Sequence, residues 1–185
     1  MPVVAYDFSR FPCVVVEDSS FMRLLLTSCM HALGVQRLRS FDSGSEAIEF
    51  LRAVKKEPMR AGVNSVECVI TDLEMAPVDG LMLLRWIRKS SESLNKFMPV
   101  IMVTAHSDAQ RVCEARDAGV TEFLTKPFSV HALASKIAHV VEHPRQFVQT
   151  GTYFGPDRRR QTREIAFPDR RVLTDRSPNV EVVYG

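Results

Sequence analysis

Short apolar runs alternate with longer amphipathic segments throughout the first 143 residues. The run Cys13–Val16 is typical of a buried strand, and apolar positions in residues 21–32 recur at helical spacing, with Gly34 placed to end that helix. The same alternation repeats along the chain. It predicts strands at residues 13–16, 35–41, 68–71, 99–103 and 121–125, and helices at 21–32, 44–51, 83–87, 107–118 and 130–141.

Five strands that alternate with five helices indicate an α/β fold, a doubly wound parallel sheet with helices on both faces. Residues 55–65 are polar and contain Pro58 and Gly62, so we expect a surface loop there. Beyond Pro144 neither the helical nor the strand period persists. The predicted organisation is an N-terminal extension (1–10), one folded domain (11–143) and an irregular C-terminal tail (144–185).

The tail differs in charge from the rest of the chain. Overall, 24 Lys+Arg and 22 Asp+Glu nearly cancel, but residues 144–185 hold eight basic and five acidic side chains, and all eight basic residues are Arg. The tetrapeptide PDRR that begins at Pro156 is repeated from Pro168. Two copies are too few for a repeat fold, so we expect a flexible or ligand-ordered segment rather than a second domain.

Composition excludes several classes of protein. Hydrophobic residues make up 45% and charged residues 25%, which is typical of a soluble globular chain. No apolar run approaches the roughly 18–20 residues that span a bilayer, and residues 1–12 contain Asp7 and Arg10, unlike a signal peptide. The four cysteines lack metal-ligand spacing. We therefore expect a cytoplasmic protein with reduced thiols and no membrane span.

Polar residues stand at the ends of four predicted strands. Glu17 and Asp18 follow the first strand, Asp72 the third, Thr104 the fourth and Lys126 the fifth. Because ligands of open α/β sheets gather at the carboxyl ends of the strands, these side chains are expected to form one site. Three crowded carboxylates favour a bound cation, and Mg²⁺ prefers oxygen ligands.

The same residues suggest a chemistry. A Lys ammonium and a Thr hydroxyl that face a metal are suitable donors for a phosphoryl group. Asp72, at the centre of the sheet, is placed to act as a nucleophile towards phosphorus and to form an aspartyl phosphate.

The segment from residue 11 to residue 143 resembles the receiver domain of two-component response regulators. The resemblance is carried by Val14 to Ser19 (VVVEDS), by Asp72 with Asp79-Gly80, by Thr104-Ala105 and by Lys126-Pro127-Phe128. It implies a flavodoxin-like sheet with strand order 2-1-3-4-5. It also implies a phosphoacceptor, which carries out only its own phosphorylation and dephosphorylation, rather than an enzyme.

The resemblance further implies the role of each site residue. Glu17, Asp18 and Asp72 would bind Mg²⁺, Asp72 would accept the phosphoryl group, and Thr104 and Lys126 would contact its oxygens. The aromatic residue that changes rotamer on activation would be Phe123, and the Lys126–Pro127 bond would be cis. The phosphodonor would be a sensor histidine kinase or phosphotransfer protein, and the face formed by helix 4, strand 5 and helix 5 would contact a downstream target.

Two departures from the family pattern affect the rim of the site. The family often has Pro four residues after the phosphoacceptor, where this chain has Ala76, with Pro77 one residue later. Glu74 adds a negative charge two residues after Asp72. Both are expected to influence the rate of phosphoryl loss rather than the arrangement of the site.

Arginine in place of lysine throughout the tail indicates planar, bidentate or stacking recognition. The tail loosely resembles the cyclic di-GMP-binding arginine motifs of PilZ domains. It is more similar to the arginine-rich extension of stand-alone chemotaxis-type receivers that bind this dinucleotide. The candidate residues are Arg158, Arg159, Arg160, Arg163, Arg170, Arg171 and Asp175.

Other functions stay open at this point. The chain could be a phosphorylation-independent adaptor that senses a cyclic dinucleotide, or its tail could dock only a protein partner, by adding an edge strand from Val180 to Tyr184. A solvated tail with local Asp–Arg pairs is the simplest alternative. DNA is disfavoured because five acidic residues interleave with the arginines, and a phosphatase ranks last because the DxD spacing of one large phosphatase family is lacking.

Overall fold

The computed structural model describes residues 7–105, 109–157 and 180–183. A central sheet contains five parallel strands in the order β2-β1-β3-β4-β5, as predicted. The strands are β1 (Cys13–Val16), β2 (Leu38–Phe41), β3 (Cys68–Asp72), β4 (Val100–Thr104) and β5 (Glu122–Thr125). The helices are α1 (Ser20–Ala32), α2 (Gly44–Lys56), α3 (Pro58–Ala61), α4 (Gly80–Lys89), α5 (Ala109–Asp117) and α6 (Val130–Glu142).

Helices cover the sheet on both sides and create two cores. Buried residues of α2, α4 and α5 pack on one face, and those of α1 and α6 pack on the other. Every residue of β1, β3 and β4 is buried, because a parallel sheet that is covered on both faces has no solvent side. The doubly wound α/β fold is thereby confirmed.

Side chains cap the helices that border the carboxyl edge of the sheet. Ser19, Ser43, Asp79 and Ser129 each accept a hydrogen bond from the backbone amide three residues later, at 2.7–3.4 Å. Each such cap satisfies an amide that lacks a partner within its own helix. The caps therefore fix where α1, α2, α4 and α6 begin.

The structure differs from the predicted boundaries in three places. The second strand, predicted at residues 35–41, begins only at Leu38. The segment 55–65, expected to be a loop, contains the end of α2 and the short helix α3, because Pro58 occupies the first turn of a helix, where its missing N–H costs nothing. Because α3 is an additional helix, the fourth and fifth helices of the sequence prediction correspond to α5 and α6 of the structure. At the other end, Phe8 is buried against Phe11, so the core extends three residues before the predicted domain start.

The tail contains more regular structure than expected. A second, antiparallel sheet has the order β7-β6-β8 and consists of β6 (Phe147–Gln149), β7 (Phe154–Pro156) and β8 (Glu181–Val183). The segment from Val180 onward, considered as a docking strand for a partner, thus pairs within the chain. Residues 158–179, which include all seven candidate dinucleotide ligands, and residues 184–185 lie outside the described residues.

Aromatic rings join the tail sheet to the domain that contains the central sheet. Phe147 and Phe154 pack against Phe97, with ring centroids 5.1 and 5.6 Å from that of Phe97, and the Lys96 ammonium lies 4.6 Å from the Phe154 ring centroid. This contact lies at the amino-terminal ends of β4 and β5, opposite the carboxyl edge of the sheet.

A buried arginine stands at the centre of this contact. Arg88, near the end of α4, is 3% exposed, and its guanidinium lies 5.2 Å from the Phe147 ring centroid. Burial lowers the pKa of Arg88 to about 9, so the group is still protonated at neutral pH.

Within the described residues, no helix has both the length and the apolar character needed to cross a lipid bilayer.

Candidate functional site

Three carboxylates meet at the carboxyl edge of the central sheet. Glu17 and Asp18 follow β1, and Asp72 ends the neighbouring strand β3. One oxygen from each of the three lies within 4.8 Å of the others. The juxtaposition predicted from the strand ends is present.

Lys126, which follows the edge strand β5, contacts two of these carboxylates. Its Nζ lies 2.9 Å from Oε2 of Glu17 and 3.0 Å from Oδ2 of Asp72. With Lys126 charged, the cluster combines three negative groups with one positive group. The excess of negative charge leaves the site able to attract a further cation.

Burial and the hydrogen bonds of Lys126 shift the pKa values of two groups in the site. Glu17 is 1% exposed, and burial raises the pKa of its carboxyl, an effect that the hydrogen bond from Lys126 opposes. Burial lowers the pKa of Lys126, but hydrogen bonds to Glu17 and Asp72 together outweigh that effect and raise it. The three carboxylates fit Mg²⁺, which takes oxygen ligands and keeps several waters.

The backbone around Asp72 fixes the orientation of its carboxylate. The amide of Leu73 donates to Oδ1 at 2.8 Å, while Lys126 occupies Oδ2. A Cβ at Gly80 would lie 2.0 Å from the carbonyl oxygen of Asp72, so only glycine fits there. The loop that leads into α4 therefore packs directly against the strand end that carries the candidate nucleophile.

Thr104 and Phe123 occupy the two strands next to Asp72. Thr104 ends β4, is buried, and its carbonyl accepts from the Lys126 amide at 2.8 Å, which places it at the same sheet edge. Phe123 is half-buried on β5 and packs against the core on the side of α2, α4 and α5. The Lys126–Pro127 bond is cis, as the resemblance implied, and the Ala76–Pro77 bond is also cis.

Two arginines at the site were not singled out from the sequence. Arg23 on α1 donates from Nη1 to the carbonyl oxygens of Glu17, at 2.6 Å, and Asp18, at 3.2 Å, and so holds the acidic loop in place. Arg111 on α5 forms an ion pair with Asp79, the residue that caps α4. Both positions look like ordinary solvated charges in an amphipathic helix, so no sequence signal distinguishes them.

An exposed apolar surface on α1 borders the site. Phe21 is 72% exposed and Leu24 67%, and Leu25 extends the same helix face. The helix begins three residues after Glu17, so this surface, called the α1 patch below, lies beside the acidic cluster. Exposed apolar patches of this kind mark contacts with a partner more often than isolated exposed residues do.

Comparison with known proteins gives consistent matches for the central domain. The family described as "Response regulator receiver domain" matches residues 13–138. The chemotaxis protein CheY of Pseudomonas aeruginosa is 31% identical over 129 residues, which cover 70% of this chain and 94% of that protein. A CheY homolog of Campylobacter jejuni is 33% identical over 128 residues, or 69% of this chain and 90% of the homolog.

Solved structures show the same likeness. The receiver domain of the Arabidopsis thaliana histidine kinase CKI1, complexed with Mg²⁺, is 27% identical with a TM-score of 0.62, and the match covers 72% of this chain and 94% of that one. The same domain with Mg²⁺ and BeF₃⁻ is 25% identical with a TM-score of 0.59, covering 71% and 93%.

Proposed function

Since the chain belongs to the response regulator receiver family, we propose that it is a phosphoacceptor that takes a phosphoryl group on Asp72 in a Mg²⁺-dependent reaction. The observation that carries the proposal is the position of Asp72: one of its carboxylate oxygens lies within 4.8 Å of one from Glu17 and one from Asp18, and its Oδ2 lies 3.0 Å from Nζ of Lys126. We propose self-phosphorylation and self-dephosphorylation as its only chemistry, so the protein is a switch rather than an enzyme.

The residues present define the proposed step. A carboxylate oxygen of Asp72 attacks the phosphorus of a phosphohistidine; the new P–O bond forms as the P–N bond breaks, and the electron pair leaves with the imidazole nitrogen. Glu17, Asp18 and Asp72 would hold Mg²⁺, which when bound neutralises charge on the phosphoryl oxygens. Lys126 keeps its proton at Nζ and pairs with the product, because the phosphate adds about −1.5 to −2 charge.

The protein surface supports two partners for this switch. The α1 patch borders the acceptor, and its exposed Phe21 and Leu24 fit an apolar helical surface on a sensor histidine kinase or phosphotransfer protein. The face formed by α5, β5 and α6 carries Phe123 and connects to Lys126 along one strand. We propose that a downstream protein binds this face after the phosphoryl group is added.

A chemical labelling experiment tests the acceptor. The full chain is incubated with acetyl phosphate and Mg²⁺, and the hydroxylamine-sensitive acyl phosphate is quantified on a phosphate-affinity gel. Asp72→Asn and removal of Mg²⁺ by EDTA should each abolish the label. The matched control Asp42→Asn changes an exposed aspartate that follows β2 at the same sheet edge and should label normally. Persistent label in Asp72→Asn would contradict the proposal.

We further propose that the arginine-rich segment is the effector part of the chain and that cyclic di-GMP is its ligand. The support is the sequence: eight arginines and the spacing of Arg159 and Arg163. Calorimetric titration of the full chain with cyclic di-GMP should give micromolar binding that Arg159→Ala weakens and Arg85→Ala, on the exposed face of α4, does not.

The same titration separates the alternatives. A phosphorylation-independent adaptor would bind the dinucleotide equally well in wild type and in Asp72→Asn. Absence of binding would leave a tail that docks a protein partner only. Point variants are preferable to truncation after Pro144, because truncation also removes Phe147 from its contact with Arg88.

A further inference from the structure

A cavity of about 480 Å³ lies at the amino-terminal edge of the central sheet, opposite Asp72. It is bordered by the residue before β1, by the start of β2 and by the loop that leads into β3. Neither the phosphorylation site nor the tail sheet uses this cavity, which is called the β2 pocket below. Its polar lining residues are Gln36, Arg37, Arg39, Asn64 and Ser65.

The lining of the β2 pocket is positively charged. Arg37 and Arg39 contribute two guanidinium groups, and the lining contains no carboxylate. Within the part of the chain that the structure describes, neither arginine forms an ion pair. Both arginines are exposed, so their two positive charges are accessible to an anion from solution.

The backbone holds the two arginines on one side of the pocket. Arg39 lies on the edge strand β2, Arg37 directly precedes that strand, and both line the pocket. The carbonyl of Arg37 accepts from the Cys13 amide at 2.9 Å, and the carbonyl of Pro12 accepts from the Glu67 amide at 2.9 Å. These two bonds connect the segments that precede β1, β2 and β3, which form the walls of the pocket. The pocket is therefore formed before any ligand binds.

The opposite wall favours a polar ligand. Gly62 has a φ of 72°, and a Cβ there would lie 3.6 Å from Nη2 of Arg39, so the turn runs close beside the guanidinium. Asn64 and Ser65 follow this turn and add neutral hydrogen-bonding groups. The volume lies within the range of small-molecule sites and exceeds the need of a single phosphate ion.

We propose that the β2 pocket binds a small phosphate ester, with Arg37 and Arg39 holding the phosphate and the neutral polar groups contacting the organic part. Arginine forms paired hydrogen bonds with phosphate oxygens, each strengthened by charge. The site lies at the opposite edge of the sheet from Asp72, so it is independent of the proposed phosphoacceptor.

The test is a titration of the ¹⁵N-labelled full chain with ADP, adenosine and inorganic phosphate in EDTA, followed by amide chemical shifts. ADP should shift the amides of Asn64 and Ser65, and adenosine should not. Arg37→Gln and Arg39→Gln should each weaken ADP binding about tenfold or more, because each removes paired, charge-assisted hydrogen bonds to the phosphate oxygens. The control Arg85→Gln removes an exposed arginine elsewhere and should leave affinity within about twofold.

Three results would overturn the proposal. The first is no amide shift up to millimolar ADP, and the second is an affinity for ADP in the Arg37→Gln and Arg39→Gln variants equal to that of the wild type. The third is inorganic phosphate that binds as tightly as ADP. The second would place the ligand elsewhere on the chain, and the third would reduce the site to a simple anion contact. Acetyl phosphate labelling of Asp72 in the same variants should stay normal, which keeps this test separate from that of the phosphoacceptor.

Discussion

Replacing Arg88 with Met should destabilise the protein more than any change of an exposed arginine. The guanidinium donates to the carbonyl oxygens of Gly119, Lys96 and Met98 at 2.7–3.0 Å, and to the Thr121 hydroxyl at 3.4 Å. It thereby joins the segments that precede β4 and β5. Methionine fills similar volume but leaves three carbonyl oxygens without this donor.

The magnitude follows from the buried position of the group. Each hydrogen bond from a charged donor contributes about 1.5–3 kcal/mol, and the cost of desolvating the guanidinium offsets part of the sum. Each buried carbonyl that loses its donor costs about 1–3 kcal/mol, so three of them give a net loss of about 3–5 kcal/mol after that offset. For a chain of this size, 1 kcal/mol corresponds to a Tm change of about 2–4 °C, so we expect Tm to fall by roughly 10 °C.

Urea unfolding and thermal denaturation of Arg88→Met, Arg88→Lys and the control Arg85→Met measure the effect. Arg88→Lys should recover little stability, since one ammonium cannot reach the acceptors that the Nε and Nη1 groups of the guanidinium contact separately. A double-mutant cycle with Phe147→Leu should show coupling above about 0.5 kcal/mol, because the tail ring covers the guanidinium. A loss below about 1 kcal/mol for Arg88→Met, or one equal to that of Arg85→Met, would refute the reasoning.

Three further predictions concern other parts of the fold. Gly80→Ala should displace the loop from Asp72 and reduce acetyl phosphate labelling at least tenfold, since its Cβ would lie 2.0 Å from the Asp72 carbonyl; normal labelling would contradict this packing. Burial raises the pKa of Cys68 to about 12 and that of Cys13 further, so the folded state retains protons that the unfolded state loses above about pH 9. Above that pH the free energy of unfolding should therefore fall by about 1.4 kcal/mol per pH unit for each thiol. Urea titrations from pH 8 to 10.5 measure this slope, and in Cys68→Ala it should be smaller by the contribution of one thiol. Phe21→Ser should slow phosphotransfer from a histidine-phosphorylated donor at least fivefold while acetyl phosphate labelling is unchanged; an equal loss with both donors would exclude a docking role for the α1 patch.

Much of the acidic site could be predicted from the sequence because strand ends are a strong constraint. A parallel sheet brings the residues after each strand to one edge, so Glu17, Asp18, Asp72 and Lys126 needed only correct strand assignments to be placed together. The apolar runs that define those strands are short and sharply bounded, which makes the assignments reliable.

The tail contact could not be predicted in the same way. Strands of three residues show no measurable period, and β8 pairs with a strand more than 30 residues earlier. Arg88 looks like a solvated basic residue near a helix C-terminus, where the helix dipole favours positive charge. In the fold its guanidinium lies against the Phe147 ring and the carbonyls of Gly119 and Met98, contacts that a local pattern cannot reveal.

The central claim, that Asp72 accepts the phosphoryl group, is tested most directly by locating the modification. After acetyl phosphate treatment, borohydride reduction converts an acyl phosphate to homoserine, and trypsin releases residues 61–85, which contain Asp72 and Asp79. Fragment sequencing by mass spectrometry should find homoserine at position 72 only, and only when Mg²⁺ was present. Homoserine at Asp79, or on another peptide in its place, would contradict the account.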